Sequence, residues 1–331
     1  DVSKVTSTKD MFYNANRLTS LNLGNWNIKS LQTPNGMFHG CSALTTLNVS
    51  GWNTSNVTTL QSIFSHCKAL TALDVSGWDV RKVTDMSFAF SDCGAPTLDL
   101  HTWKTSSMKT LEKTFAGAAA ASINVTGWDT SKVTTMDSTF ENTTKLGSLD
   151  LSSWDTSAVG RDTESDGTVY GTNAFNNMFL RSGAKSINIS GFDFGSFYGK
   201  GNWNGGIYKM FGECAGLEEI IGTETWTNTG NILQINSTFS GCAKLKTLDV
   251  STWNTSNVTD MSNAFNGCKA LAALDVSAWD TGNCENFIAA FMNCESLQNI
   301  DISTWDMSKA YSSYCTNMFN GCKSLTSLIF P

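Results

Sequence analysis

Charge is scarce in this chain. Only 15% of its 331 residues are Asp, Glu, Lys or Arg, and the net charge is −7. An acidic balance argues against a nucleic-acid backbone as partner, because phosphate binding draws on a surplus of Lys and Arg. No apolar run approaches the ~18 residues that a membrane-spanning helix needs, and no secretory leader is visible at Asp1. Catalytic signatures are missing too. There is no Gly-x-Ser-x-Gly elbow, no His-Glu-x-x-His, no phosphate loop and no Cys-x-x-Cys. The three histidines, His39, His66 and His101, occupy different positions of the repeat described next, so the pattern gives them no shared role. An enzyme is therefore not expected.

What the chain does have is a repeat. Phe12, Phe38, Phe64, Phe90, Phe115, Phe140, Phe179, Phe211, Phe239, Phe265, Phe291 and Phe319 mark twelve units, most of them 25 or 26 residues apart. A second column holds Trp26, Trp52, Trp78, Trp103, Trp128, Trp154, Trp226, Trp253, Trp279 and Trp305, with Phe192 in the seventh unit. Such periodicity specifies a solenoid, in which each unit packs only on its neighbours and the stack shares one core. The expected organisation is a single solenoid over residues 1–331, with insertions at about 160–175 and 192–209 where the step lengthens.

Each unit reads as two halves. Val57, Leu60, Phe64 and Cys67 are spaced three, four and three apart, which predicts one face of a short helix. Thr58 with Gln61, and Thr134 with Asp137, have the spacing of a helix capping box. Leu73 and Val75 alternate with polar residues, which predicts a half-buried strand. The strand half, as in Leu44-Thr-Thr-Leu47-Asn-Val49-Ser-Gly-Trp52, is similar to a leucine-rich repeat. The fuller pattern carried by Met261, Phe265, Cys268, Leu271, Leu274, Asp275, Val276, Ser277, Trp279, Asp280 and Thr281 resembles the BspA-like surface-protein class of leucine-rich repeats. The expected fold is thus an α/β repeat solenoid of about twelve units, with parallel strands on one face and short helices on the other. The resemblance implies a secreted or surface-displayed protein that works in adhesion or assembly without catalysis. Its implied partners are a protein or a glycan at a cell surface. No dedicated cap is legible at either end, and end units otherwise expose half their core. The expectation is either a piece of a longer protein or ends that meet other chains. The alternative function is accordingly a structural subunit that self-associates end to end into an extracellular filament or sheath.

Three columns are candidates for chemistry. Eight cysteines share one apolar position, which suits buried free thiols. Cys284 and Cys315 lie off that column and form the disulfide candidate. The tryptophans are expected in the core, each indole N–H bonded to a carbonyl of the neighbouring coil. Trp203, in the second insertion, is the one expected to be exposed. The third column places Asp74, Asp99, Asp150, Asp249, Asp275 and Asp301 outward on the strands, with Asn at the equivalent positions of other units. Carboxylates stacked at the ~4.8 Å strand spacing repel. Hydrogen bonds from the flanking Ser column would offset this, or a calcium ion at Asp249, Asp275 and Asp301, which takes carboxylate and carbonyl oxygens. No other cofactor is implied. This polar face, with the Trp203 loop, is the candidate ligand-binding surface.

Overall fold

Each marker phenylalanine seats one coil of the chain on the last. Their rings stack in unbroken succession from Phe12 to Phe319, with centroids 5.1–5.8 Å apart. The structure, a computed structural model, describes residues 2–163, 169–171, 174–196, 206–311 and 313–331. A second stack runs from Trp52 to Trp154, then from Phe192 through Trp226 to Trp305, at 4.9–6.4 Å. Both stacks are buried except in the outermost coils. Truncating one such ring to Ala costs about 3–5 kcal/mol, since the neighbouring rings cannot collapse into the gap.

Short strands line one side of the stack. They are β1 (Ser20–Asn22), β2 (Thr46–Asn48), β3 (Thr97–Asp99), β4 (Ser122–Asn124) and β5 (Ser148–Asp150), then β8 (Ser186–Asn188), β9 (Glu219–Ile221), β10 (Asn299–Asp301) and β11 (Ser327–Ile329). They pair in parallel with like positions opposed: Leu21 with Leu47, Leu98 with Ile123, Ile300 with Leu328. The run Leu149–Ile187–Ile220 carries the sheet across both long steps of the repeat. The central residue of each strand faces the core and its neighbours face outward, as alternation requires. The first insertion contains an antiparallel hairpin of β6 (Arg161–Thr163) and β7 (Val169–Gly171).

The other side departs from the sequence expectation. Among the described residues there is no α-helix; the helical segments are single 3-10 turns at Thr223–Thr225 and Thr229–Asn231. The stretch carrying Leu60, Phe64 and Cys67 is instead a run of overlapping β-turns. Ile63, Ser65 and Cys67 donate their N–H to the carbonyls of Leu60, Ser62 and Phe64, three residues back. Leu60, Ser62, Phe64 and His66 donate out of their own coil, to the carbonyls of Asp85, Ser87, Ala89 and Ser91 at 2.8–2.9 Å. Turning alternate N–H groups outward takes two left-handed residues per coil, one two positions before the phenylalanine and one two after. Ser62 (φ 55°) and His66 (φ 58°) do this in the third coil, and the same two positions do so in all twelve. Gly, Asn or Asp hold fourteen of those twenty-four positions, the types that tolerate this conformation best. A left-handed residue breaks a helical ladder, whereas successive three-residue turns still return side chains to one face at spacings of three and four. That is why the apolar pattern read as a helix. With no helix to cap, Thr58 and Thr134 donate their hydroxyls to Gln32 and Lys109 carbonyls of the preceding coil, 3.4 Å each.

Candidate functional site

The outward strand column is polar because each of its side chains has a local task. Asp74, Asp249 and Asp275 each accept two hydrogen bonds from the serine two residues on, at 3.0–3.1 Å from its N–H and 2.7 Å from its hydroxyl. Asp150 and Asp301 accept from the N–H of Ser152 and Ser303 at 3.0 and 2.9 Å. Asp99 meets Nδ1 of His101 at 2.7 Å and accepts from Nδ2 of Asn124 at 2.9 Å. These turns close the corner that follows every strand. The serine hydroxyl, then the serine N–H, hold the Asp74 and Asp275 carboxyls below the usual carboxylate range. His101 does the same for Asp99.

Five strand pairs are parallel, and none sets two carboxylates side by side: Asn22 faces Asn48, Asp99 faces Asn124, Asp150 faces Asn188, Asn188 faces Ile221, and Asp301 faces Ile329. Where aspartates would be adjacent, at Asp74 with Asp99 and along Asp249, Asp275 and Asp301, no strand ladder forms among the described residues. The ladder is interrupted as well between Asn48 and Asp74, Asn124 and Asp150, and Ile221 and Asp249, where no two aspartates meet, so repulsion between carboxylates is not what sets the breaks. No three His, Cys, Asp or Glu side chains among the described residues come together so as to hold a metal ion. Asp249, Asp275 and Asp301 stand as a row, each bonded to the serine two residues on.

The last five coils bend this face into an open depression of about 870 Å³, bordered by Glu219, Ile221, Asp249, Asp275, Asp301 and Ile329. Glu224 lies at its edge. No ion pair among the described residues engages Glu219, Glu224, Asp249, Asp275 or Asp301; the lysine there, Lys246, is bound to Glu218 at 2.8 Å. Charge is segregated along the chain in the same sense. Residues 1–150 hold twelve acidic and twelve basic side chains, so the net −7 falls wholly in 151–331. Sequence reasoning found the aspartate row but missed Glu219, Ile221 and Glu224. Their signal was the eighth unit, which reads Glu219-Ile220-Ile221 where others read Ser or Thr, an apolar residue, then Asn or Asp.

The other candidate columns are internal. Trp52, Trp103, Trp128, Trp226, Trp253, Trp279 and Trp305 donate their indole N–H to carbonyls of the preceding coil at 2.9–3.3 Å. Trp78 and Trp154 are equally buried, but their Nε1 has no partner. Trp203 and residues 197–205 of the second insertion lie outside the described residues. All ten cysteines are free. Seven of the eight in the column point their Sγ at the phenylalanine carbonyl of the preceding coil, as Cys67 does to Phe38 at 3.1 Å. Burial pushes the Cys93 thiol up to about 11 and that of Cys214 to about 12. The disulfide proposed for Cys284 and Cys315 is not formed: Cys284 is buried with Sγ toward the Asn286 carbonyl, whereas Cys315 is exposed.

The histidines are a further correction. His39 and His66 differ by one position in the repeat, yet their rings meet edge to face at 5.2 Å. Gly40 and His66 hold the same left-handed corner in successive coils, and the space that a side chain at Gly40 would take is filled by Asn14 of the coil before.

Among known proteins, the family described as "Mycoplasma protein of unknown function, DUF285" matches residues 1–99, 89–189 and 206–329. No curated protein matches the chain. Among the solved structures similar to it in fold alone are two leucine-rich proteins. One is a leucine-rich cell surface protein of Faecalibacterium prausnitzii, at 15% identity over 97% of this chain and 75% of that one, with a TM-score of 0.36. The other is a leucine-rich-repeat protein of Bacteroides ovatus, at 17% identity over 98% and 78%, with a TM-score of 0.34.

Proposed function

We propose that this chain, which belongs to the DUF285 family, is a non-catalytic binding protein of the cell surface or its exterior, and that its last five coils dock a protein partner through a cationic segment. The observation that carries this is the depression whose five carboxylates no ion pair among the described residues engages, beside an exposed Ile221. A peptide laid across the strands could place Lys or Arg against successive aspartates while an apolar side chain covers Ile221. Serine bonds already hold Asp249, Asp275 and Asp301 in place, so little ordering of these carboxylates is needed on binding. No helix among the described residues is long and apolar enough to cross a membrane.

The test compares wild type with the combined variant Asp249→Asn, Asp275→Asn, Asp301→Asn. Asparagine keeps the corner bonds and removes the charge. Binding is measured to an immobilised lysine-rich peptide, a neutral glycan and an anionic polysaccharide. Salt-sensitive binding to the lysine-rich peptide that the variant loses supports the proposal, since exposed charges are screened beyond about 8 Å at physiological ionic strength. Equal binding by the variant, or capture of a glycan alone, contradicts it. A second reading rests on the turn side, where alternate N–H groups, such as those of Leu60, Ser62, Phe64 and His66, point from one coil to the next. A further coil, from a continuation of the chain or from a second copy, could seat on the outermost described coil in the same sense.

A further inference from the structure

We infer that Tyr13, His39, His66 and Asp92 form an acid-responsive seam that fastens the first four coils at neutral pH and loosens them as His39 protonates. The four side chains lie side by side across consecutive coils on the turn side, away from the strand face. Tyr13 stacks on His39 at 4.8 Å with the rings 5° from parallel. His39 meets the edge of His66 at 5.2 Å, and Nδ1 of His66 lies 2.8 Å from Oδ2 of Asp92. The charged and titratable groups facing the pair are Asp10 and Tyr13 from the first coil and Asp92 from the fourth.

The two imidazoles do not respond alike. Asp92 receives the proton of His66 Nδ1, so a charged His66 keeps its partner. A proton on His39 places a second cation against the first, in a half-buried position whose aromatic neighbour is Tyr13. Burial, and then the charge of His66, hold His39 below the ordinary imidazole value, while Asp10 pulls the other way. The folded coils thus bind this proton less tightly than the unfolded chain does. The contribution of His39 to their stability is full above the unfolded imidazole pKa of about 6.5 and is lost as pH falls from there through the lowered folded value. The acid-labile part is the amino-terminal four coils, and the depression in the last five is spared.

The experiment uses the whole chain. Amide hydrogen exchange, corrected for its intrinsic pH dependence, is followed from about pH 8 to 5, the range in which imidazoles titrate. Coils 1–4 are compared with coils 9–12, and the three imidazole C2 protons are titrated by NMR. Asp137, a half-buried carboxyl pushed up to about 6, titrates in the same range with the opposite sign, so every measurement is repeated in Asp137→Asn. The expected result is protection that falls in coils 1–4 alone, by about tenfold for each unit by which His39 lies below its free value. His39→Gln should abolish that fall and His101→Gln should leave it. If His39→Gln does not fold, the wild-type NMR titration decides. A His39 pKa at or above the ordinary value, or an unchanged pH response in His39→Gln, overturns the inference.

Discussion

Replacing Gly267 with Ala separates a turn stack from a helix by the sign of the effect. Gly267 is the second left-handed residue of its coil, at φ 78°. A methyl group added there would meet only the Cα and N of Gly241 at 3.6 Å, an ordinary contact. The penalty is therefore one of backbone conformation, about 1–2 kcal/mol for an L-residue held left-handed. Were this segment a helix, the same change would stabilise it by about 1 kcal/mol. Ala289 holds the first left-handed position of the next coil, at φ 54°. Ala289→Gly should therefore stabilise where a helix would be weakened. In a chain of this length such energies move the thermal midpoint by only a few degrees, so local exchange is the better assay. The Gly267 N–H, bonded to the Met292 carbonyl at 2.8 Å, and the Cys268 N–H, bonded to Phe265, report the coil directly. Gly267→Ala should speed their exchange about five- to thirtyfold. Slower exchange, with Ala289→Gly moving the opposite way, would refute the turn assignment.

Trp128→Phe keeps the aromatic stack but removes the indole bond to the Leu100 carbonyl at 3.0 Å, which then keeps only the Trp103 N–H; it should cost about 0.5–1.5 kcal/mol in denaturant unfolding. Trp78→Phe removes a buried donor that has no acceptor, so the same assay should find it near neutral or stabilising. In native protein a thiol reagent should label Cys315 quickly, Cys322 more slowly and the fully buried column only on unfolding. Failure to label Cys315 before denaturation would revive its pairing with Cys284.

The repeat was legible because its largest residues mark it. Phe and Trp recur at fixed intervals, and columns of aromatics that regular have to stack. Strand register followed, since Leu21, Leu47, Leu98 and Leu149 fall at one repeat position and pair in the structure as like with like, or with its Ile equivalent. The helix was misread for a physical reason. Tandem turns and helices share apolar spacings of three and four, and only the left-handed positions tell them apart. Gly-Cys at 40–41, 241–242, 267–268 and 321–322 carried that signal. The serine partners of the aspartate row were readable two residues downstream. The depression was not, because it depends on how several coils bend together and on one aberrant unit. Nor was the contact of His39 with His66, which arises from side chains leaning across coils at positions that do not repeat.

The most direct test of the account is hydrogen exchange of the whole chain with and without a saturating lysine-rich peptide. The account predicts added protection at strand positions from Glu219 to Asp301, with the turn side around Phe239, Phe265 and Phe291 unchanged. Protection confined to the turn side, or none while the peptide is bound, would contradict it.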